Sequence, residues 1–231
     1  MRMVVFCVLV LDFIRVNCDN YSMASLILIS APSGAGKTTL VNKLLGALTR
    51  IELSVSCTTR SPRPSEKQGD QYHFMSDDEY DQCLSNNEFL EFATVYGNRY
   101  GTLKKNVQDG LERGNDVVLE IDYQGALQVM KAWKEPMVSV FIMPPSFEVL
   151  RKRLDNRAED TPSVIKKRLQ EAYQDIIHYD HYDYLVVNGD LLTASLELTS
   201  IVVAYRHRME VVKREKQAWI ESLIESFNDK S

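Results

Sequence analysis

The stretch ILISAPSGAGKTTLVNKLL, Ile27 to Leu45, constrains the fold more than any other part of the chain. It approximates G-x-x-x-x-G-K-[ST], the pattern of a loop that wraps phosphate groups between a strand and a helix. Gly34, Gly36, Lys37 and Thr38 are in place, but Ala31 stands where the first glycine is usual. Pro32 follows Ala31, and a residue before proline is pushed to extended backbone with negative φ. Alanine is tolerated there, because only positive φ or a very close backbone approach demands glycine. Gly34 and Gly36 let the backbone curl with its N–H groups inward. Lys37 then reaches phosphate oxygens and Thr38 offers a hydroxyl to Mg²⁺. The flanks agree: LILIS is an apolar run of strand length, and Leu40, Leu44, Leu45 and Leu48 recur at helical spacing. A glycine-rich turn that happens to precede a lysine is the competing reading. Strand, loop and helix in that order favour a site with phosphates at the helix N-terminus.

The chain has 231 residues, enough for one domain or a core with insertions. A net charge of −5 argues against a non-specific nucleic-acid binder, which would be basic. Cys7, Cys18, Cys57 and Cys83 show no C-x-x-C spacing and no histidine at zinc spacing. Scattered cysteines beside a nucleotide loop point to a reducing, cytoplasmic compartment. The histidines at 73, 178, 181 and 207 fall at no catalytic spacing and read as surface or structural groups.

Residues 1–22 start with a basic residue and an apolar run from Met3 to Leu11. Asp12 and Arg15 interrupt the run, no small-residue cleavage site follows, and it is too short to span a bilayer. The preferred reading places 1–22 outside the folded unit, with a flexible tail or a weak membrane signal as alternatives.

Beyond the loop, apolar runs at Asp116–Asp122, Met137–Met143 and Tyr184–Asn188 read as buried strands. Helical spacing covers Leu103–Arg113, Gln124–Lys134, Phe147–Leu154 and Val164–Ile177, and one long C-terminal helix is expected from Leu191 to about Glu215. Alternation of this kind predicts an α/β fold, a parallel sheet flanked by helices. Residues 56–102 break the rhythm with prolines, glycines, short alternating runs and one acidic helix at Asp77–Ser85. They read as an inserted α+β subdomain. Within it, Arg60 and Arg63 lie in a proline-punctuated loop, and Tyr72 and Tyr100 follow. Arginine forks and tyrosine hydroxyls suit a phosphate that is held but not transferred. Glu91 sits among apolar neighbours, so it either faces out on the polar side of a strand or has a buried partner.

From Leu26 to about Leu223 the chain resembles guanylate kinase of the bacterial kind. SAPSGAGKTTL, SVSCTTRSPRPSE, GDQYHF, FLEFATVYGNRYGT, EIDYQGA, FIMPPS, RLDNR, KKRL and YDYLVVN carry the resemblance, in order and at family spacing. It implies a P-loop kinase core over 23–55, 103–150 and 169–231, a GMP-binding insert over 56–102 and a helical lid over 151–168. The implied activity is transfer of the γ-phosphoryl group of MgATP to GMP or dGMP. No nucleic-acid or membrane partner is implied, and homo-oligomerisation is left open.

The resemblance also implies roles. Pro32, Ser33, Gly34, Ala35, Gly36, Lys37, Thr38, Thr39 and Asn188 would hold ATP, with Thr38 on the metal. Ser56 and Glu91 would take the guanine side, Arg60, Arg63, Tyr72 and Tyr100 the GMP phosphate, and Thr102 would also bind GMP. Asp122 fits a base-side or Mg²⁺-side role, whereas Glu120 reads as packing or support. Arg151–Arg168 holds seven basic residues against three acids. Arg157 and Arg168 match lid arginines that reach ATP phosphates and, with Lys37, form the expected catalytic set. Arg151, Lys152 and Lys166 read as a solvated face. Ser65 and Ala158 stand where the family often has glycine; neither removes a reacting group. Two alternatives remain: a P-loop kinase with another acceptor, such as AMP or a small metabolite, and a non-catalytic guanylate-kinase-like module for phosphopeptides.

Overall fold

The computed structural model describes residues 24–95, 97–155 and 162–228. The expected extension at 1–22, Arg157 and Ala158 lie outside these residues. In chain order the strands are β1 (Leu26–Ser30), β2 (Ile51–Leu53), β3 (Cys57–Thr58), β4 (His73–Phe74), β5 (Phe89–Val95), β6 (Asn98–Leu103), β7 (Asp116–Glu120), β8 (Met137–Met143) and β9 (Tyr184–Val187). The helices are α1 (Lys37–Ala47), α2 (Asp77–Ser85), α3 (Lys104–Glu112), α4 (Tyr123–Ala132), α5 (Phe147–Asp155), α6 (Pro162–Ile176), α7 (Leu191–Arg206) and α8 (Met209–Asn228).

Five strands form a parallel sheet in the order β2-β7-β1-β8-β9. Strand β1 lies at its centre, and Leu26, Ile27, Leu28 and Ile29 are fully buried. Side chains alternate across a strand. Ile27 and Ile29 therefore pack with Leu40, Val41 and Leu44 of α1 and with Leu198 and Val202 of α7. Leu26 and Leu28 pack on the other face with Val107 of α3 and Ala126 and Val129 of α4. Covering both faces is what a parallel sheet needs, and it explains the apolar runs of β1, β7 and β8; β9, expected to be buried, is instead an edge strand in which Tyr184, Leu185 and Val187 are exposed and Val186 is buried. No helix among the described residues is long and apolar enough to cross a membrane.

The second sheet, β4-β3-β6-β5, is mixed, with β3 parallel to β4 and antiparallel to β6. Its helix α2 starts with a capping box at Ser76 and Glu79, which satisfies N–H groups that the first turn leaves over. The sheet joins the core through α4. Gln128 donates to Phe92 O (2.7 Å) and accepts from Phe92 N (3.1 Å), so one amide stands in for a neighbouring strand along β5.

The expected single C-terminal helix is two. Helix α7 ends at Arg206, and α8 begins at Met209. No glycine or proline marks the break; tertiary packing makes it. Tyr205 and Val211 both enter the same core cluster, and Arg206 is pinned between them. Its Nε donates to Asp116 Oδ2 (2.7 Å), and its Nη2 donates to Thr49 O (3.0 Å). Asp116 Oδ1 accepts from Ser25 N (2.8 Å). Strand β2 was not legible either, because three residues give no periodicity.

Asp116 is 1% exposed, and burial raises its pKa while Arg206 opposes the rise. Removing one member of a buried pair leaves the other uncompensated. Arg206→Ala is expected to lower unfolding free energy by about 3–5 kcal/mol, and Arg206→Met with Asp116→Asn to recover much of that loss. Urea midpoints of the three proteins check this; equal losses in single and double variants would place the effect in packing alone.

Candidate active site

The phosphate loop leaves β1 at the carboxyl end of the sheet, beside the end of β7, where ligands bind in open α/β sheets. Gly34 and Gly36 take φ of 86° and 90°. Side chains are disfavoured there by conformation and by space: a Cβ at Gly36 would lie 2.5 Å from Asn188 Nδ2, and one at Gly34 would lie 2.9 Å from Leu154. Helix α1 starts at Lys37 with no side-chain cap, so its first N–H groups face the cleft. Lys37 Nζ donates to Ile121 O at the end of β7 (2.9 Å), and the Thr38 hydroxyl donates to Glu120 Oε1. The loop's Ala35 carbonyl turns inward and accepts from Asn188 Nδ2 (2.7 Å) and Arg153 Nη1 (3.3 Å). An open cleft of 490 Å³ runs from the loop to Asp122, Tyr123 and Gln124 and to Glu171 and Asp175 of α6. Burial raises the Asp175 carboxyl to about 7; Asp122 adds to the rise and Lys37 opposes it.

The insert faces the loop across a second cavity of 570 Å³, bounded by Thr38, Ser56, Arg60, Arg63, Tyr72, Tyr100, Glu120 and Arg168. Arg60 donates twice from Nη2 to Glu66, at 2.9 and 3.0 Å. Its guanidinium lies over the Tyr72 ring, 5.4 Å from the centroid, and the rings of Tyr72 and Tyr100 meet edge to face. Arg63 N donates to the same Glu66 carboxylate (2.7 Å). The Arg60 fork is thus fixed, with donors left over.

Glu91 lies at the floor of an adjoining 210 Å³ cavity with Lys37, Ser56, Tyr72, Tyr100 and Asp122. It is 3% exposed. Thr102 Oγ1 donates to Oε1 (2.6 Å), while Oε2 comes so close to Gly125 that a Cβ there would collide with it. Burial raises the carboxyl to about 7; Thr102 lowers it, Asp122 raises it and Lys37 lowers it. Of the two readings of Glu91, the buried carboxylate with a partner is the one observed.

Most residues singled out in the sequence converge here. Pro32, Ser33, Gly34, Gly36, Lys37, Thr38 and Thr39 line the first cleft, and Ser56, Arg60, Arg63, Tyr72, Glu91 and Tyr100 line the other two. Three residues make contacts that the sequence did not show. Glu120, read as support, pairs with the Thr38 hydroxyl. Asp122 caps α4, accepting from Gly125 N (2.9 Å). Asn188 grips the loop's own backbone. Glu66, Arg153 and Gly125 were not singled out. The spacing Arg60, Arg63, Glu66 was a readable signal for Glu66; a glycine just inside a helix start was one for Gly125. Arg153 gave none, being one of three consecutive basic residues whose neighbours Arg151 and Lys152 are exposed.

The guanylate kinase family model matches residues 23–205. The chain belongs to the guanylate kinase family. It is 49% identical over 186 residues to guanylate kinase of Alkalilimnicola ehrlichii, covering 80% of this chain and 91% of that one. It is also 49% identical over 200 residues to guanylate kinase of Saccharophagus degradans, covering 87% and 97%. The crystal structure of guanylate kinase from Anaplasma phagocytophilum superposes with a TM-score of 0.69 at 36% identity, over 84% of this chain and 94% of that one. Family membership accounts for a P-loop kinase core and a second sheet in one chain.

Alanine for glycine inside a helix normally stabilises by about 1 kcal/mol. At Gly125 the sign should reverse, because the new methyl and Glu91 cannot share the space. Gly125→Ala is expected to cost about 1–3 kcal/mol, the usual penalty of overpacking. Denaturant midpoints test it, and a stabilised variant would mean that Glu91 moves away at no cost.

Proposed function

We propose that the chain transfers the γ-phosphoryl group of ATP to the phosphate of GMP, giving ADP and GDP, with dGMP as a second acceptor. The observation that carries this reading is Glu91, a carboxylate buried on a cavity floor between the phosphate loop and a fixed arginine–tyrosine set. Guanine offers N1–H and N2–H₂ side by side, and one carboxylate accepts both. Thr102 holds Oε1, and Ser56 lines the same cavity. Adenine presents an acceptor at N1, which the carboxylate repels, so AMP is not favoured as acceptor.

In this reading Arg60, Arg63, Tyr72 and Tyr100 hold the GMP phosphate, and residues 56–102 act as the GMP-binding insert. ATP lies with its phosphates on the N–H groups of residues 33–39. The GMP phosphate oxygen is already ionised and attacks in line, so no protein base is needed. Catalysis is then positioning and charge neutralisation. Lys37 and Arg168 supply positive charge on the transferred group, joined by Arg157 from the lid segment. The Thr38 hydroxyl and the Glu120 carboxylate are adjacent oxygen ligands, a set that suits Mg²⁺, which takes one or two protein oxygens beside substrate phosphates. Bound there with ATP, Mg²⁺ would neutralise phosphate charge. A cytoplasmic location fits substrates of this kind.

Two outcomes are expected. Lys37→Met should cost more than about 3 kcal/mol in transition-state stabilisation while barely moving the melting temperature, since Nζ bonds only the Ile121 carbonyl among the described contacts. Near-normal turnover would remove the loop from the mechanism.

Glu91→Gln should lower kcat/KM for GMP by about 2–4 kcal/mol and spare AMP, because a donor then faces a guanine N–H. ATP affinity should not change. A carboxyl near 7 must ionise to accept both donors, so wild-type kcat/KM for GMP should fall as pH drops below about 7. The variant should lose that limb and keep only the titration of the GMP phosphate near about 6. Equal losses for GMP and AMP would make Glu91 structural and not the base reader.

A further inference from the structure

The acidic helix α2 lines none of the three cavities, yet it is fastened to the strand that carries Tyr100. Asp77 and Asp81 lie four apart, on one face of the helix with Tyr80 beside them. Together they hold Arg99 of β6: Nη1 lies 3.5 Å from Asp77 Oδ1, and Nη2 pairs with Asp81. The Arg99 guanidinium in turn rests on the Tyr80 ring, 4.1 Å from its centroid. Carboxylates that would otherwise be a solvated face thus keep a cation over a buried ring.

Tyr80 is 2% exposed and packs with Cys57 and Phe89, its ring 4.6 Å from that of Phe89. A phenylalanine would fill such a cluster equally well; a buried tyrosine brings a hydroxyl that needs a partner. That partner is the Tyr100 carbonyl, which accepts from the Tyr80 hydroxyl at 2.6 Å. Burial pushes the Tyr80 phenol up to about 12, so it stays a donor at neutral pH.

Side chains alternate across β6. Arg99 and Gly101 face α2, and a Cβ at Gly101 would lie 2.7 Å from Phe89. Tyr100 points the other way, into the cavity with Arg60 and Tyr72. Tyr80 therefore grips from behind the peptide whose side chain faces the cavity. The preceding peptide is tied to Arg60: Arg99 O accepts from Thr58 Oγ1 (2.9 Å), which accepts from Arg60 N (3.1 Å). Tyr100 and Arg60 thus depend on two adjacent peptides of β6, and α2 fastens both residues of that pair. A tyrosine is a long lever, so a small tilt of its peptide displaces its hydroxyl by more, and misplacement of a group that holds substrate is costly.

We propose that Tyr80 is a positioning residue for the acceptor phosphate, its hydroxyl fixing the Tyr100 peptide so that the Tyr100 side chain meets that phosphate beside Arg60. The inference rests on the reading of residues 56–102 as the GMP-binding insert.

Steady-state kinetics of wild type, Tyr80→Phe, Tyr100→Phe and the double variant test it. Tyr80→Phe keeps the ring, its packing and the Arg99 contact, and removes only the hydroxyl. It should raise KM for GMP about two- to ten-fold, the span of one lost hydrogen bond, and leave KM for ATP unchanged. Tyr100→Phe should also raise KM for GMP. In that background Tyr80→Phe should add little, because no Tyr100 hydroxyl remains to be placed. A fall in melting temperature with KM for GMP unchanged would make Tyr80 a packing residue and overturn the proposal. Equal rises in KM for GMP and ATP, or effects of the two substitutions that simply add, would overturn it as well. If Tyr100→Phe weakens GMP and Tyr80→Phe does not, this inference falls and the GMP reading stands. A wild type that does not phosphorylate GMP would overturn both.

Discussion

The Ala35 carbonyl is the point on which the site's geometry turns. A loop that binds phosphate through backbone N–H groups must turn its carbonyls away from the ligand, and a carbonyl turned inward needs a donor. Asn188, just past β9, and Arg153, on α5, both donate to it, and Arg153 also donates to Asn188 O (2.9 Å). One peptide thus ties the loop to the far side of the sheet and to α5. The left-handed glycines on either side of Ala35 make the inward turn accessible, and Asn188 fills the space a side chain at Gly36 would need. On the other side, Lys37 is held by the Ile121 carbonyl at the end of β7. The loop is therefore braced from both directions before any ligand arrives, and preorganisation of that kind is what phosphoryl transfer asks of a protein.

The insert solves a different problem with the same means. A base-reading carboxylate must be dry to discriminate, and a dry carboxylate is costly unless its lone pairs are used. Thr102 donates to Glu91 across the β5–β6 pair, and a glycine at the start of α4 makes room for its other oxygen. Gln128, on the same helix, fixes β5 by its backbone. Helix α4 thus sets the position of Glu91 twice, and through its Asp122 cap it also borders the loop's cleft. The helix thereby links the Glu91 cavity to the phosphate loop.

The sequence was most readable where local pattern and function coincide. The glycines, lysine and threonine of the loop have conformational or chemical reasons that a single stretch of chain displays. Strands β1, β7 and β8 announce themselves as apolar runs because both sheet faces are covered there, whereas the apolar run of β9 lies at an exposed edge. Arg60 stood out by its spacing to Arg63 in a proline-punctuated loop, and Glu91 as a carboxylate among apolar neighbours. What could not be read depends on distant partners. Asp122 and Glu120 lie two residues apart on a strand end, and only the fold decides which one meets Thr38 and which one caps α4. Arg153 is one of three adjacent cations, distinguished by pointing at a loop more than a hundred residues away. The α7–α8 break has no local breaker, since it is enforced by Arg206 reaching Asp116 on β7.

In the proposed reading, Glu91 sets a binding group against the stability of the fold. Its carboxyl is raised to about 7 by burial, above the ordinary value of 4.5. A carboxyl raised on folding contributes stability that is full below its unfolded pKa and is lost as pH rises through the folded one. For Glu91 that window runs from 4.5 to about 7, so near neutral pH the free protein holds a carboxylate it would be more stable without. Two N–H donors from a guanine would reverse this, because hydrogen bonds to the charged form favour it. The free energy withheld by desolvation would then be released only when a base with adjacent donors enters. Adenine, lacking them, would leave the carboxylate both buried and unmatched. Selectivity of this kind needs no extra contact to the wrong base; it follows from keeping an acid dry at the floor of the cavity.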